Sequence, residues 1–304
     1  MISKGMKRVI KLLKKRGEEE TKKRVEDSRK SLEELADIEE VPEDVTIENI
    51  DAGGVPAAWI STPGFVEENV VLYLHGGGYV EGSIHSHRGL AFRISRVSKS
   101  RVLLIDYRLA PEYPYPAALE DSVAAYKWMI DTEEINPENI IIGGDSAGGG
   151  LTAATLIKLR DLNITLPAAA VLLSPWTDLD MRGISIREKA RVDPFVDASS
   201  LFFMASLYVG DDDPKNPYIS PLYADLKGLP PLLIQVGTAE VLLNDATRFA
   251  EKAESAGVDV TLDIWEDMVH VFQAFALWAP EGQQALEKIG EFIQKFMKKE
   301  VQII

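Results

Sequence analysis

The 304-residue sequence predicts an α/β protein built on a doubly wound, mostly parallel β-sheet. From about Glu40 onward, β-branched runs alternate with helical runs as far as the C-terminus. Several of the β-branched runs are apolar without interruption, for example Val70–Leu74, which is typical of central strands covered on both faces. No repeat or low-complexity linker divides the chain into independent domains.

The alternation predicts eight strands. In chain order they are Val45–Asp51, Val55–Ser61, Asn69–Leu74, Arg101–Asp106, Asn139–Gly143, Ala168–Ser174, Pro231–Val236 and Val258–Trp265. The eighth is expected at an edge of the sheet, where it could pair with a second copy in a homodimer.

Two segments fall outside this alternation, and we expect them to form a helical cap. One is the charged N-terminal segment 1–44, and the other is an insertion, 180–220, between the sixth and seventh strands. The core then comprises residues 45–179 and 221–304. A cap in this arrangement would cover the ends of the strands, where ligands bind in such sheets.

The net charge of −15 hides a basic N-terminus, because residues 1–30 hold 12 Lys/Arg and 5 Asp/Glu. Met6, Val9, Ile10 and Leu13 have the spacing of one helix face. Such a helix could dock on the acidic body of its own chain or lie on an anionic membrane, and we favour the first interpretation. The acidic remainder argues against binding to nucleic acid.

Composition narrows the classes of chemistry further. The chain has no cysteine, so disulfides, thiolate catalysis and cysteine-ligated zinc are excluded. Lysine and arginine interrupt the first residues, which is unlike a secretory signal, and no apolar run approaches the roughly 18 residues of a membrane span. We therefore expect a soluble, cytoplasmic protein.

The segment Gly144–Gly148 lies between the fifth predicted strand and a helical run that begins at Leu151. A serine on such a tight strand-to-helix turn adopts a strained backbone that only small neighbours tolerate, and the turn lifts its hydroxyl group clear of the sheet. Ser146 is therefore the candidate nucleophile of an acyl-transfer reaction.

A nucleophilic serine needs a base, and the chain has four histidines. Only His270 follows Ser146 in the chain, as the order serine, acid, histidine requires. His85 and His87 lie in a loop and are expected to be structural or solvated, with metal binding as the alternative. His75 is expected to anchor the glycine run that follows it.

The base needs a carboxylate, which should follow the seventh strand. Glu240 lies three residues beyond Gly237, near the end of that strand, whereas Asp245 is more than a helical turn farther on. We favour Glu240 and expect Asp245 on the helix surface or behind the acid. The Gly76–Gly78 run and the N–H of Ala147 are candidate donors to the negative charge that develops on the substrate oxygen.

The substrate pocket is predicted from the apolar residues of the cap. Phe195, Phe202, Phe203 and Leu207 could line it, although many of them could instead form the core of the cap. Tyr79, next to the glycine run, is the better candidate.

These motifs together resemble the hormone-sensitive-lipase-like (bacterial and archaeal family IV) carboxylesterases of the α/β-hydrolase fold. The resemblance spans about Val45 to Val271 and rests on the segments His75–Gly78, Asp106–Glu112, Tyr115–Ala118 with Asp121, Gly144–Gly149, Ser174–Asp178 and Ser220–Leu222. It implies hydrolysis of small or medium acyl esters without a metal or organic cofactor. It also implies oxyanion donors at Gly76, Gly77 and Ala147.

The chain departs from the family pattern at two positions. Glu240-Val241-Leu242 stands where the family usually has Asp-Pro-Leu, so the predicted acid is one methylene longer. Val271 stands where a glycine usually follows the catalytic histidine, a change that could alter the pocket.

The sequence thus predicts a serine carboxylesterase with a Ser146–His270–Glu240 triad. A ligand-binding receptor on the same fold is the alternative from another class, but such a receptor has lost the histidine that this chain keeps. An amidase, a lactonase or a peptidase could use the same groups, and a membrane-associated lipase is a further option.

Overall fold

The computed structural model of the chain describes residues 2–20 and 25–297. Residue 1 and residues 21–24 of the predicted segment 1–44, and residues 298–304 of the predicted core, lie outside the described residues. Within the described ranges, eight strands form one sheet. They are β1 (Thr46–Asp51), β2 (Pro56–Ser61), β3 (Val66–Leu74), β4 (Ser100–Ile105), β5 (Ile140–Asp145), β6 (Ala169–Leu173), β7 (Leu232–Gly237) and β8 (Val260–Trp265).

The order of the strands in the sheet is β1-β2-β4-β3-β5-β6-β7-β8. β1 pairs with β2 and β2 with β4 in antiparallel fashion, and every later pairing is parallel. The predicted mostly parallel sheet of eight strands is therefore confirmed. β3 begins three residues earlier than predicted, because Val66 pairs with Ser100 across a break in register before Val70.

Helices cover both faces of the sheet. They are α1 (Lys4–Glu20), α2 (Val25–Ala36), α3 (Ile84–Ser98), α4 (Ala117–Asp131), α5 (Ala147–Asp161), α6 (Ser185–Glu188), α7 (Ala198–Val209), α8 (Leu243–Ser255) and α9 (Pro280–Phe296), with short 3₁₀ turns at Pro137–Asn139, Pro221–Tyr223 and Phe272–Phe275.

The apolar run of β3 explains why both faces are covered. Successive side chains of a strand point to opposite faces. Val70, Leu72 and Leu74 accordingly join the core beneath α4, α5 and α8. Val71 and Tyr73 join the opposite core, beneath α3 and α9. A continuous apolar strand thus supports helices on both sides, as parallel sheets require.

β8 occupies one edge of the sheet. Ile264 on this strand is 47% exposed. The homodimer through the segment Val258–Trp265 stays a prediction.

The N-terminal helix α1 docks on the body of the chain. Met6, Val9 and Leu13 are at most 5% exposed and form a cluster with Met268 and Phe272. The amphipathic helix therefore docks on its own chain, which is the interpretation that we favoured from the sequence. In the described ranges, no helix has both the length and the apolar character needed to cross a bilayer.

Two adjacent leucines of α1 provide a test of this docking. Leu13 is 5% exposed and Leu12 is 63% exposed. Leu13→Ala should lower the free energy of unfolding by about 2–5 kcal/mol, because it removes buried apolar contacts and leaves a cavity. Leu12→Ala should change it by less than about 0.5 kcal/mol. Urea unfolding followed by circular dichroism measures both, and equal losses would show that α1 is not docked as described.

Candidate active site

Ser146 occupies the turn between β5 and α5. Its backbone has φ 54° and ψ −120°, a conformation that is costly for any residue other than glycine. Two hydrogen bonds hold it there: Ser146 N–H donates to Leu173 O (2.8 Å), and Trp176 N–H donates to Ser146 O (2.9 Å). Both partners belong to β6 and the loop after it, so the neighbouring strand fixes the strained turn.

The glycines around Ser146 are required by close backbone approaches. A Cβ atom at Gly144 would lie 2.4 Å from Gly148 O, and one at Gly148 would lie 1.9 Å from Leu74 O. Neither position can accept a side chain without moving the backbone of a central strand. The small residues of the pentapeptide therefore let α5 begin directly against β3 and β5.

His270 and Glu240 form a buried pair at the same edge of the sheet. His270 Nδ1 lies 2.8 Å from Glu240 Oε2, and the two residues are 3% and 0% exposed. The other carboxylate oxygen accepts from Gly237 N–H (2.6 Å) and from Ser174 Oγ (2.9 Å). Three donors thus fix Glu240 as an acceptor, and the imidazole can present its remaining nitrogen to the cavity that Ser146 lines.

Asp245 serves a different part of the structure. It is fully buried, and its Oδ2 accepts from the N–H groups of Thr177 (3.0 Å) and Asp178 (2.9 Å). Burial, together with the nearby charge of Asp178, raises the pKa of Asp245 to about 8. The expectation that Asp245 could lie on the helix surface is wrong, because its carboxyl group holds the backbone after β6 inside the core.

The charges near His270 favour its protonated form. Burial alone would lower the pKa of His270, but the carboxylates of Glu240, Asp193 and Asp145 outweigh burial and raise it. Asp193 also accepts hydrogen bonds from the N–H groups of Phe195 and Val241, each at 2.9 Å. Asp193 therefore ties the inserted segment to the residue that follows Glu240.

The glycine run after β3 lies beside Asp145. Gly76 N–H donates to Asp145 Oδ1 (3.2 Å), whereas Gly77 and Gly78 line the cavity. Gly78 has φ 63°, and a Cβ atom there would lie 2.2 Å from Met204 Sδ of α7. The N–H of the predicted donor Gly76 is thus already engaged by a carboxylate, and the two following glycines face the cavity instead. Ala147, the third predicted donor, is the buried first residue of α5.

His75 anchors this run, as the sequence predicts. Its ring stacks on Tyr107 with centroids 4.1 Å apart, and its Nδ1 donates to Gly76 O (2.8 Å). Burial, and then the neighbouring His87, lower the pKa of His75 to about 3. His75 is therefore neutral at physiological pH.

The other two histidines lie on α3, not in a loop as predicted, and they differ from each other. His85 is partly exposed and lies 2.9 Å from Asp37. Only 12% of the His87 side chain is exposed, and its Nε2 lies 3.5 Å from Asp145 Oδ2. His87 is therefore not solvated, and it has the structural role that the sequence analysis offered. No three histidine or acidic side chains in the described part of the chain are grouped as metal ligands would be.

A cavity of about 780 Å³ opens at this edge and is lined by Ser146 and His270. Among the predicted pocket residues, Phe195 and Phe203 line it, and the Phe195 ring centroid lies 6.1 Å from that of His270. α2 contributes further lining through Leu32.

Three predicted pocket residues do not line this cavity. Tyr79 is 1% exposed and stacks on Tyr208 beneath it, with ring centroids 3.8 Å apart. Leu207 packs on the main core, and Phe202 points to solvent and is 55% exposed. The prediction is wrong for all three. Phe202 and Leu207 lie on sides of α7 that do not line the cavity, and Tyr79 is buried under α7 by its stacking on Tyr208.

Three residues with clear roles in the geometry have no role in the sequence prediction. Ser174 bonds Glu240 and accepts from Val271 N–H (3.1 Å), Asp145 bonds the glycine run, and Asp193 bonds the acid loop. Ser174 and Asp145 lie in the segments Ser174–Asp178 and Gly144–Gly149, on which the family resemblance rests, so the resemblance itself could have pointed to them. Asp193 lies in the insertion, where no spacing connects it with Glu240.

The chain is similar in sequence to known hydrolases. It matches the family of the alpha/beta hydrolase fold over residues 71–274. An acetyl-hydrolase of Streptomyces hygroscopicus is 42% identical over 245 residues, which are 81% of this chain and 81% of that protein.

Solved structures are similar over nearly the whole chain. An esterase from the bacterial hormone-sensitive lipase (HSL) family is 46% identical, with a TM-score of 0.95 over 98% of this chain and 100% of its own. EstE5, from a crystal soaked with p-nitrophenyl butyrate, is 42% identical, with a TM-score of 0.92 over 97% of this chain and 99% of its own. The predicted resemblance is thereby confirmed: the chain belongs to the alpha/beta hydrolase fold family, in the branch of the hormone-sensitive-lipase-like esterases.

Proposed function

We propose that the protein hydrolyses carboxylic esters through an acyl-enzyme formed on Ser146. The observation that carries this proposal is the buried His270–Glu240 pair, whose histidine lines the same cavity as a serine held in a strained strand-to-helix turn. A nucleophile, a base and an acceptor that orients the base are the groups that acyl transfer needs.

In the proposed reaction, Ser146 Oγ attacks the ester carbonyl while His270 accepts the hydroxyl proton. Glu240 stabilises the imidazolium that forms, because its carboxylate is buried and is held by Gly237 N–H and Ser174 Oγ. His270 then gives the proton to the leaving alcohol. Water activated by the same histidine attacks the acyl group and releases the acid, which restores Ser146.

We assign the hydrogen bonds that stabilise the oxyanion of this reaction to the N–H groups of Gly77, Gly78 and Ala147. Gly78 takes the place that the sequence prediction gave to Gly76, because Gly76 N–H already donates to Asp145. Gly77 and Gly78 line the cavity beside Ser146, and neither has a side chain to obstruct it. Each donor aimed at the developing charge is worth roughly 3–4 kcal/mol of transition-state stabilisation.

The proposed substrates are esters of short to medium acyl chains. A volume of about 780 Å³ falls within the roughly 300–1,000 Å³ typical of small-molecule sites. The similar acetyl-hydrolase, named for a two-carbon acyl group, and EstE5, soaked with the four-carbon acyl ester p-nitrophenyl butyrate, support this choice. We also propose that segments 1–44 and 180–220 form the cap, since α2 and α7 both contribute residues to the lining.

The nucleophile is tested with p-nitrophenyl butyrate and its matched p-nitroanilide. The wild type should release p-nitrophenol, and Ser146→Ala should lower kcat by about 10⁴-fold, because the acyl-enzyme cannot form. Equal rates in the two proteins would contradict the proposal. Faster cleavage of the anilide than of the ester would indicate an amidase that uses the same groups.

The acid is tested by two isosteric substitutions at buried carboxyl groups. Glu240→Gln should lower kcat by about 10²–10⁴-fold, because the amide cannot stabilise the imidazolium. Asp245→Asn should keep kcat within a few-fold of the wild type, because the amide oxygen can still accept from Thr177 and Asp178. A larger loss of kcat in Asp245→Asn than in Glu240→Gln would reverse the assignment.

The pH dependence of kcat/KM tests the charges around the base. His270 must be neutral to accept a proton, so kcat/KM should rise as the pH passes its raised pKa. Asp193→Asn removes a negative charge that favours the imidazolium, so the acid limb of the kcat/KM profile should move to lower pH. Asp197→Asn, which removes a charge from the same segment, is the control and should leave that limb in place. An acid limb unmoved by Asp193→Asn would show that Asp193 does not act on His270.

A further inference from the structure

Val271 has a left-handed backbone directly after the histidine of the site. Its φ is 48° and its ψ is 45°, a conformation in which a β-branched residue is an outlier. Glycine adopts this conformation without a steric penalty. The chain therefore carries backbone strain at a position where a residue without a side chain would have none.

The surroundings of Val271 hold this backbone in place. Val271 N–H donates to Ser174 Oγ (3.1 Å), and the residue begins the 3₁₀ turn Phe272–Phe275. Strained residues persist where the structure over-determines them, and they cluster at functional sites. The isopropyl group contributes nothing to these backbone contacts, so its effect must lie in the space that it occupies.

Val271 belongs to an apolar wall of the cavity, which we call the α3 wall. It consists of Leu90 and Phe92 of α3, Val271, Ala274 of the 3₁₀ turn and Leu35 of α2. Leu90, Phe92 and Val271 are each at most 6% exposed and belong to one apolar cluster, against which Ala274 packs. The α3 wall thus includes Val271, the residue directly after His270.

We propose that Val271 limits the depth of the cavity along the α3 wall and thereby sets the longest chain that the ester can carry on that side. This inference rests on the proposed esterase function. A methylene that fits or fails to fit an apolar pocket changes kcat/KM by about 10–200-fold. The removal of the isopropyl group next to His270 is therefore large enough to move a chain-length preference.

The experiment compares Val271→Gly and Val271→Ala with the wild type on two ester series. One series is p-nitrophenyl esters from acetate to decanoate, and the other is alkyl butyrates from methyl to octyl. In one series the ratio of kcat/KM for the longest to the shortest ester should rise at least about tenfold in Val271→Gly, and less in Val271→Ala. The series that responds identifies whether the wall receives the acyl or the alcohol chain.

Lys99→Gly is the matched control, because Lys99 also has a left-handed backbone (φ 55°) but lies at the end of α3 and does not line the cavity. It should leave both ratios unchanged. Ratios within about twofold of the wild type in both series for Val271→Gly, or for Val271→Ala if Val271→Gly does not fold, would overturn the inference. A wild type that hydrolyses no ester of either series would instead refute the proposed function, so the two failures are distinguishable.

Discussion

The carboxylate of Asp145 joins the chain segments that meet at the strand-to-helix turn of Ser146. It is the last residue of β5, it accepts from Tyr73 Oη (2.9 Å) and Gly76 N–H (3.2 Å), and it lies 3.5 Å from His87. Burial alone would raise the pKa of Asp145, but His87, the hydroxyl group of Tyr73 and His75 together outweigh burial and lower it. Removal of one partner from a buried charged pair typically costs about 3–5 kcal/mol, because the other charge stays buried without compensation. Asp145 therefore holds the glycine run beside Ser146 through one carboxylate oxygen, while its other oxygen faces His87.

A second set of hydrogen bonds joins the acid to the base. Ser174 Oγ donates to Glu240 and accepts from Val271 N–H, so one hydroxyl group connects the loops after β6, β7 and β8. Asp193 adds the inserted segment to the same set through Val241 N–H. Glu240, His270 and part of the segment between β6 and β7 are thus held by one continuous hydrogen-bonded network, which leaves His270 little freedom to rotate away from Glu240.

The sheet and the order of the site residues could be predicted because they depend on local patterns. Runs rich in β-branched residues identified all eight strands, and the position of Glu240 and His270 after β7 and β8 follows from the topology. The environments of Asp245 and His87 could not be predicted, since each depends on a partner far away in sequence, Thr177 and Asp145 respectively. The same reason explains the errors at Tyr79, Phe202 and Leu207, whose orientations are decided by the packing of α7 on the core.

A fluorophosphonate reacts covalently with an activated serine. Reaction of the wild type with this reagent, followed by intact mass and peptide mapping, tests directly whether Ser146 is the activated nucleophile. We expect one phosphonyl group per chain, on Ser146, and none in Ser146→Ala. Labelling of a residue other than Ser146 would show that Ser146 is not the activated nucleophile. Ester hydrolysis that continues after every Ser146 has been labelled would show the same.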